Sequence, residues 1–161
     1  MPRIAILLGS DSDLPVLEKG LKVLKDFGEE YEIRILSAHR TPQAVTEYVA
    51  SFAETGVKVV IAGAGKAAHL PGVVAAHTTI PVIGLPIRAS LDGLDALLSI
   101  VQMPGGIPVA TVGINASDNA TLLALSILAS FDEEVAAKLK TFRRDMEAKV
   151  LEKDRRVRES G

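Results

Sequence analysis

The chain has 161 residues, of which 48% are apolar but only 4% aromatic, and its formal net charge is -2. That length fits one domain with a real core, and the core must come from Ala, Val, Ile and Leu, as in helices packed on a buried sheet. The near balance of charge, with the arginines of "FRRDMEAKVLEKDRRVRES" interleaved with acids, leaves no footprint for nucleic acid, and the absence of cysteine excludes disulfides, thiolate nucleophiles and Cys-based zinc sites.

The first apolar run, "RIAILLG" (3–9), reads as a strand. It holds five apolar residues before Gly9, short of the roughly 7–15 of a secretory signal, so a soluble cytoplasmic protein is expected. The loop "GSDSD" (9–13) follows, and "SDLP" (12–15) places a capping residue before a proline, the order of Ncap and N1. Ser10 and Ser12 can donate to a phosphate at that helix start, and Asp13 can accept from a ribose hydroxyl. Alternatively, Ser12 or Asp13 merely caps the helix.

The second run, "YEIRIL" (31–36), leads into "LSAHRTPQAV" (36–45), where "RTP" repeats the cap-then-proline order. If the first two strands are neighbours, Arg40 reaches the place where Ser10 and Ser12 point and offers a bidentate, charge-assisted contact to phosphate. His39 lies beside it, and imidazole gives and takes protons near neutrality. The alternative is a histidine bonded to loop backbone next to an arginine in a surface ion pair.

The third run, "VKVVIAG" (57–63), is followed by "AGAGKAAHLPG" (62–72), whose glycines let a ligand approach the backbone. "GAGKAA" partly matches a dinucleotide fingerprint but follows the wrong strand, and the strand after it ends "IGLPIRAS", with no Asp or Glu to hold a ribose. A Walker A motif ending at Lys66 would need glycine at 60 and Ser or Thr at 67, where Val60 and Ala67 stand. His69 and His77 are separated by Pro71-Gly72, which argues against one unbroken helical face. No third ligand is near, so a metal site is not expected and His77 reads as a helix C-terminal histidine.

"PVIGLP" (81–86) and "PVATVGI" (108–114) complete five strands separated by helix-length segments, hence βαβ units and a parallel sheet. Their loops, with Ser90 and Asp92 as a further helix start and "MPGG" as a turn, are expected to supply walls to the site. "AAHLPGVVAAHTTIPVIGLPI" is too interrupted for a membrane helix. "SDNATLLALSILASF" (117–131) is apolar around most of a helix and is expected to pack on two sides. From 133 a charged helix carries a narrow seam of Val135, Leu139, Phe142, Met146 and Val150, facing a neighbouring subunit or the chain's own sheet. The expectation is a single domain over 1–161, with a core at 3–131 and a helical arm at 132–161: a three-layer α/β/α fold with a central parallel sheet, flavodoxin/Rossmann-like.

In a receiver domain an aspartate would end the third strand, where Ala62-Gly63 stand. A flavin carrier would want aromatic rings, and the chain has no tryptophan and only Tyr31 and Tyr48 as tyrosines. The residues themselves point to an α/β domain that binds a small phosphorylated molecule, with one or two histidines for proton transfer.

Together, "GSDSD", "SAHRTP", "AGAGKAAHLPG" and "SIVQMPGGIPVATVGI" resemble the signature loops of the class I N5-carboxyaminoimidazole ribonucleotide mutases of the purine-pathway carboxylase family. The CO2-using class II carboxylases differ at "HRT" and "AHLPG". The resemblance implies a homo-octamer with sites at subunit contacts, no metal or cofactor, and a ribonucleotide substrate. The implied reaction moves a carboxylate from the exocyclic nitrogen to ring carbon 4; direct carboxylation with CO2 and a non-catalytic homologue are the alternatives. By resemblance, Ser10, Ser12 and Arg40 hold phosphate, Asp13 the ribose, and His39 is the general acid/base. Ser37, Gly65, Ala67 and Leu70 join the substrate contacts, with Ala67, His69 and Leu70 enclosing released CO2. His69 either bonds the carboxylate in a catalytic role or shapes the loop. Lys66 departs from the family's usual glycine and either points to solvent or alters carboxylate binding.

Overall fold

The computed structural model describes residues 1–160. The strands are β1 (Ile4–Leu8), β2 (Tyr31–Ile35), β3 (Val59–Gly65), β4 (Val82–Ile87) and β5 (Ala110–Thr111). They form one parallel sheet in the order β2-β1-β3-β4-β5, the flavodoxin-like order whose switch point lies between β1 and β3. All five expected strands are present. The fifth is two residues long because Pro108 has no N–H to offer a ladder, although Val112 still donates to the Gly84 carbonyl at 3.2 Å.

Alternation along the strands builds two buried faces. Ala5, Leu7, Val60, Ala62 and Ala64 cluster with Val45 and Val49 of α2 (Pro42–Ala50), Phe52 of α3 (Phe52–Thr55), Leu70 and Val74 of α4 (Leu70–Ala76), and Ile100 of α5 (Leu94–Val101). On the other face Ile4, Ile6, Leu8, Val59 and Ile61 are at most 2% exposed. Burying each such aliphatic side chain contributes roughly 1.5–3 kcal/mol. α1 (Glu18–Phe27) lies against the start of α6 (Ser117–Leu128), where the Gly20 N–H donates to Ser117 Oγ at 3.2 Å. A Cβ at position 20 would meet the Ser117 carbonyl oxygen at 2.6 Å, so only glycine allows that approach.

The helix starts differ in detail from expectation. Ser10, not Ser12 or Asp13, is the cap: its hydroxyl accepts from the Ser12 N–H, and Asp11–Leu17 winds as a 3-10 helix with Pro15 inside before α1 begins. Pro15 has no N–H, so its position costs that tighter winding one internal donor. Thr41 and Pro42 do occupy Ncap and N1 of α2, but the Thr41 hydroxyl makes no cap bond; it donates to the Ser37 carbonyl and accepts from the Ser37 N–H. Ser90 precedes a short 3-10 turn, Leu91–Gly93, and its hydroxyl bonds the Asp95 carboxylate instead of capping.

The chain forms two compact units, Met1–Ala124 and the residues from Leu125 onward, with the division inside α6. Only Asn119 and Ser126 of α6 are exposed, as its all-round apolar character requires. α7 (Glu133–Glu159) is capped by Asp132, whose carboxylate accepts from the N–H groups of Glu134 and Val135. Its seam is buried at Val135, half-buried at Leu139 and Phe142, and exposed at Met146 and Val150.

Gly84 of β4 is a point of close helix-on-sheet contact: an added Cβ would collide with Ile100 of α5 and come within 3.0 Å of Val109. Gly84→Ala is expected to lower unfolding free energy by about 1–3 kcal/mol, read as a fall in the urea midpoint with an unchanged slope.

Candidate active site

The ends of β1, β2 and β3 open onto one place. The register aligns Leu8 with Ile35 on one side and with Gly63 on the other, and the first loop bond, Gly9 N–H to the Gly63 carbonyl, is 3.3 Å. A cavity of about 580 Å³ lies over these ends. All eleven candidate residues line it: Ser10, Ser12 and Asp13 from the first loop, Ser37, His39 and Arg40 from the second, and Gly65, Lys66, Ala67, His69 and Leu70 from the third. Gly9, Ala38, Ala64 and Ala89 also line it. These four carry no reactive group, so residue chemistry gave no signal for them; Ala89 was findable only by its place just after a parallel strand.

Each loop is held by its own short bonds. Ser10 and Ser12 share a hydroxyl contact of 2.8 Å, and the Asp13 N–H donates to the Ser10 carbonyl. Thr41 returns to Ser37 through both its hydroxyl and its N–H, closing the second loop into a compact turn. Arg40 then reaches across: Nη2 donates to the Gly9 carbonyl at 3.0 Å and Nε to Ser37 Oγ at 3.4 Å. Arg40 is thus not in a surface ion pair; its guanidinium joins the first two loops and keeps further donors for a ligand.

The second and third loops meet through their histidines. His39 Nε2 and His69 Nδ1 are 2.6 Å apart, with the rings edge to face at 75°. Such a contact needs a proton on one nitrogen and a lone pair on the other, so the pair holds one proton between its facing atoms. His69 stands at the N-cap position of α4, where its N–H donates to the Ala67 carbonyl. His77 closes the other end of that helix, as its position in the sequence suggested. Among the described residues no three His, Asp or Glu side chains gather as a metal site would need.

Lys66 has a φ of 54°, in the left-handed region that glycine enters freely and other residues at a cost of roughly 1–2 kcal/mol. Its neighbours Gly63 and Gly65 are required for a different reason: a Cβ at 63 would strike Leu8, and one at 65 would press on the Ile87 carbonyl and Ala89. The "MPGG" turn does not line this cavity. Met103 instead packs against Gly72 of α4, with its sulfur 3.1 Å from where a Cβ would stand.

The geometry defines an α/β protein of flavodoxin-like topology, with hydroxyls, a guanidinium and a proton-sharing histidine pair in one pocket at the strand ends. Three comparisons give that description a family. The AIR carboxylase family model matches residues 3–149. The chain is 54% identical to the N5-carboxyaminoimidazole ribonucleotide mutase of Thermotoga maritima, covering 100% of this chain and 95% of that protein. It is 59% identical to the enzyme of the same name from Pyrococcus abyssi, over 91% of this chain and 84% of that one. The crystal structure of Treponema denticola PurE superposes with a TM-score of 0.89 at 35% identity, over 97% and 98% of the two chains. The chain belongs to the AIR carboxylase family, as its four signature loops suggested.

Asp13 supplies a pH test of the site. Burial, with repulsion from the Asp11 carboxylate, pushes its carboxyl above the ordinary 3.8. The folded protein therefore binds this proton more tightly than the unfolded chain does. Its stabilising effect is complete below 3.8 and is lost as pH rises through the raised value. Asp13→Asn is expected to raise Tm by about 1–4 °C at pH 7 and to leave it unchanged at pH 3. Calorimetry at the two pH values checks this, and an equal gain at both would contradict it.

Proposed function

We propose that this chain catalyses the isomerisation in which the carboxylate of N5-carboxyaminoimidazole ribonucleotide moves from the exocyclic nitrogen to ring carbon 4, a step of purine biosynthesis. The observation that carries the reading is the His39–His69 contact in the same pocket as Ser10, Ser12 and Arg40. The high identity to mutases over almost the whole chain supports it.

The reaction needs no net proton. As the exocyclic N–C bond breaks and CO2 leaves, the nitrogen takes one proton; after carbon 4 adds to CO2, carbon 4 loses one. A single group that gives and then recovers a proton is sufficient, and His39 has that role, with His69 as the partner that fixes its ring. Ser10, Ser12 and Arg40 hold the phosphate, with Ser37 orienting the guanidinium, and Asp13 accepts from a ribose hydroxyl. Gly65, Ala67 and Leu70 form the wall against which CO2 waits. CO2 has no charge to grip, so retention depends on enclosure.

His39, Arg40, Lys66 and His69 are exposed in the single chain, so enclosure requires a covering surface. A homo-octamer with sites at subunit contacts supplies one. The exposed apolar face of α5, formed by Leu94, Leu98 and Val101, favours such self-association, as do Met146 and Val150 on α7. No helix is long and apolar enough to cross a membrane among the described residues, and the reading assigns the protein to the cytoplasm, where it needs no bound cofactor.

Purified protein given N5-carboxyaminoimidazole ribonucleotide in one assay, and aminoimidazole ribonucleotide with CO2 in another, is expected to convert only the first rapidly. His39→Asn should reduce kcat by about 10²–10⁴-fold. Because the histidines act as a pair, His39→Asn/His69→Asn should lose little beyond His39→Asn alone. Preference for the second substrate pair would assign the chain to direct carboxylation instead.

A further inference from the structure

Lys66 is the outlier of the pocket. It occupies the one position of the "GAGKAA" loop whose φ is positive, while Gly63 and Gly65 beside it have no such φ. Local conformation favours glycine at 66, and a residue kept in a strained conformation at a ligand site points to a use for its side chain. The side chain is exposed and forms no ion pair or hydrogen bond among the described residues, so no internal contact accounts for it.

Topology states where its charge lies. Arg40 follows β2 and Lys66 follows β3, with β1 and its two serines between them. Neighbouring strands are about 4.8 Å apart, so the two cations rise from strand ends about 10 Å apart. The His39–His69 contact spans the same gap. The charged side chains on the cavity are Arg40, Lys66 and Asp13. Without Lys66 the formal charges of Arg40 and Asp13 cancel, and no cationic side chain is left on the β3 side of the cavity for a second anionic group besides the phosphate.

We infer that Lys66 is a specificity residue that holds the carboxylate of a carboxylated ribonucleotide at the β3 side of the pocket, and so separates it from the same ribonucleotide without a carboxylate. The inference deepens the function proposed above and rests on it. The ammonium donates a charge-assisted hydrogen bond to the carboxylate in both substrate and product. As neutral CO2 forms, that bond is released, so Lys66 acts on binding more than on the chemical step.

The test is calorimetric binding of 4-carboxyaminoimidazole ribonucleotide and of aminoimidazole ribonucleotide to the full chain and to Lys66→Gly, Lys66→Gln and Lys66→Arg, with KM and kcat for the mutase reaction. Lys66→Gly relieves the backbone, so its melting temperature should rise and folding is not in question. Lys66→Gly and Lys66→Gln are expected to weaken the carboxylated ligand by about 10–100-fold and to change the other by less than about twofold, with KM rising and kcat unchanged or higher. Lys66→Arg should restore affinity to within about threefold. Unchanged affinity in Lys66→Gly and Lys66→Gln, or equal losses for both ligands, would overturn the inference and leave the mutase reading in place. An unmodified chain that neither binds nor converts either ribonucleotide would remove the mutase reading and this inference with it.

Discussion

The site depends on β1 being paired on both edges. Its five residues form parallel ladders with β2 and with β3 at once, and every one of them is buried. A slip of this strand by one residue would exchange the side chains of its two buried faces, putting Ile4, Ile6 and Leu8 where Ala5 and Leu7 now pack, and close-packed layers do not accommodate the changed volumes. Its register therefore fixes the level at which three chain segments leave the sheet. Gly9, Leu36 and the end of β3 emerge together, and Leu36 N–H to the Leu8 carbonyl at 2.9 Å and Gly9 N–H to the Gly63 carbonyl complete the alignment. The serines, the arginine and the histidines reach one pocket because core packing leaves their loops no other place to start.

On that base the loops are joined by bonds that also serve the chemistry. Arg40 spends one Nη2 donor on the Gly9 carbonyl, tying the second loop to the first, and His39 ties the second to the third through His69. These contacts hold the cationic and proton-carrying groups in position before a ligand arrives, which lowers the reorganisation that binding would otherwise require. The His–His contact adds a chemical constraint. One of the two facing nitrogens must carry its N–H and the other must present its lone pair, so the contact fixes how the two rings face each other.

Much of this was legible in the residues. Five β-branched runs spaced by helix-length segments define the parallel sheet, and the strand-end rule directs attention to the loops where all eleven candidates lie. Less legible was the detail of how those loops close. Ser10 as cap, Thr41 turning back to Ser37, and Ser90 bonding Asp95 are choices among nearby polar partners of similar strength, and local sequence does not rank them. The joining of His39 to His69 was not legible either. The two lie 30 residues apart, and only the β2-β1-β3 order brings their loops side by side. Ala38 and Ala89 lacked any chemical mark because their contribution is shape.

The glycines of the third loop show how sequence pattern and physical need can separate. Gly63 and Gly65 read as glycines that let a ligand approach the backbone, yet in the structure Leu8, Ile87 or Ala89 fills the space of a Cβ at each, and neither has a positive φ. Conformational freedom is needed at position 66, where the chain carries a lysine. A motif reading treats all three positions as one glycine-rich cradle. Packing divides them into two positions that keep β3 close to its neighbours and one where a side chain is retained against the preference of its own backbone. Lys66→Gly would relieve the backbone there, so whatever keeps lysine at this position acts through the pocket and not through the fold.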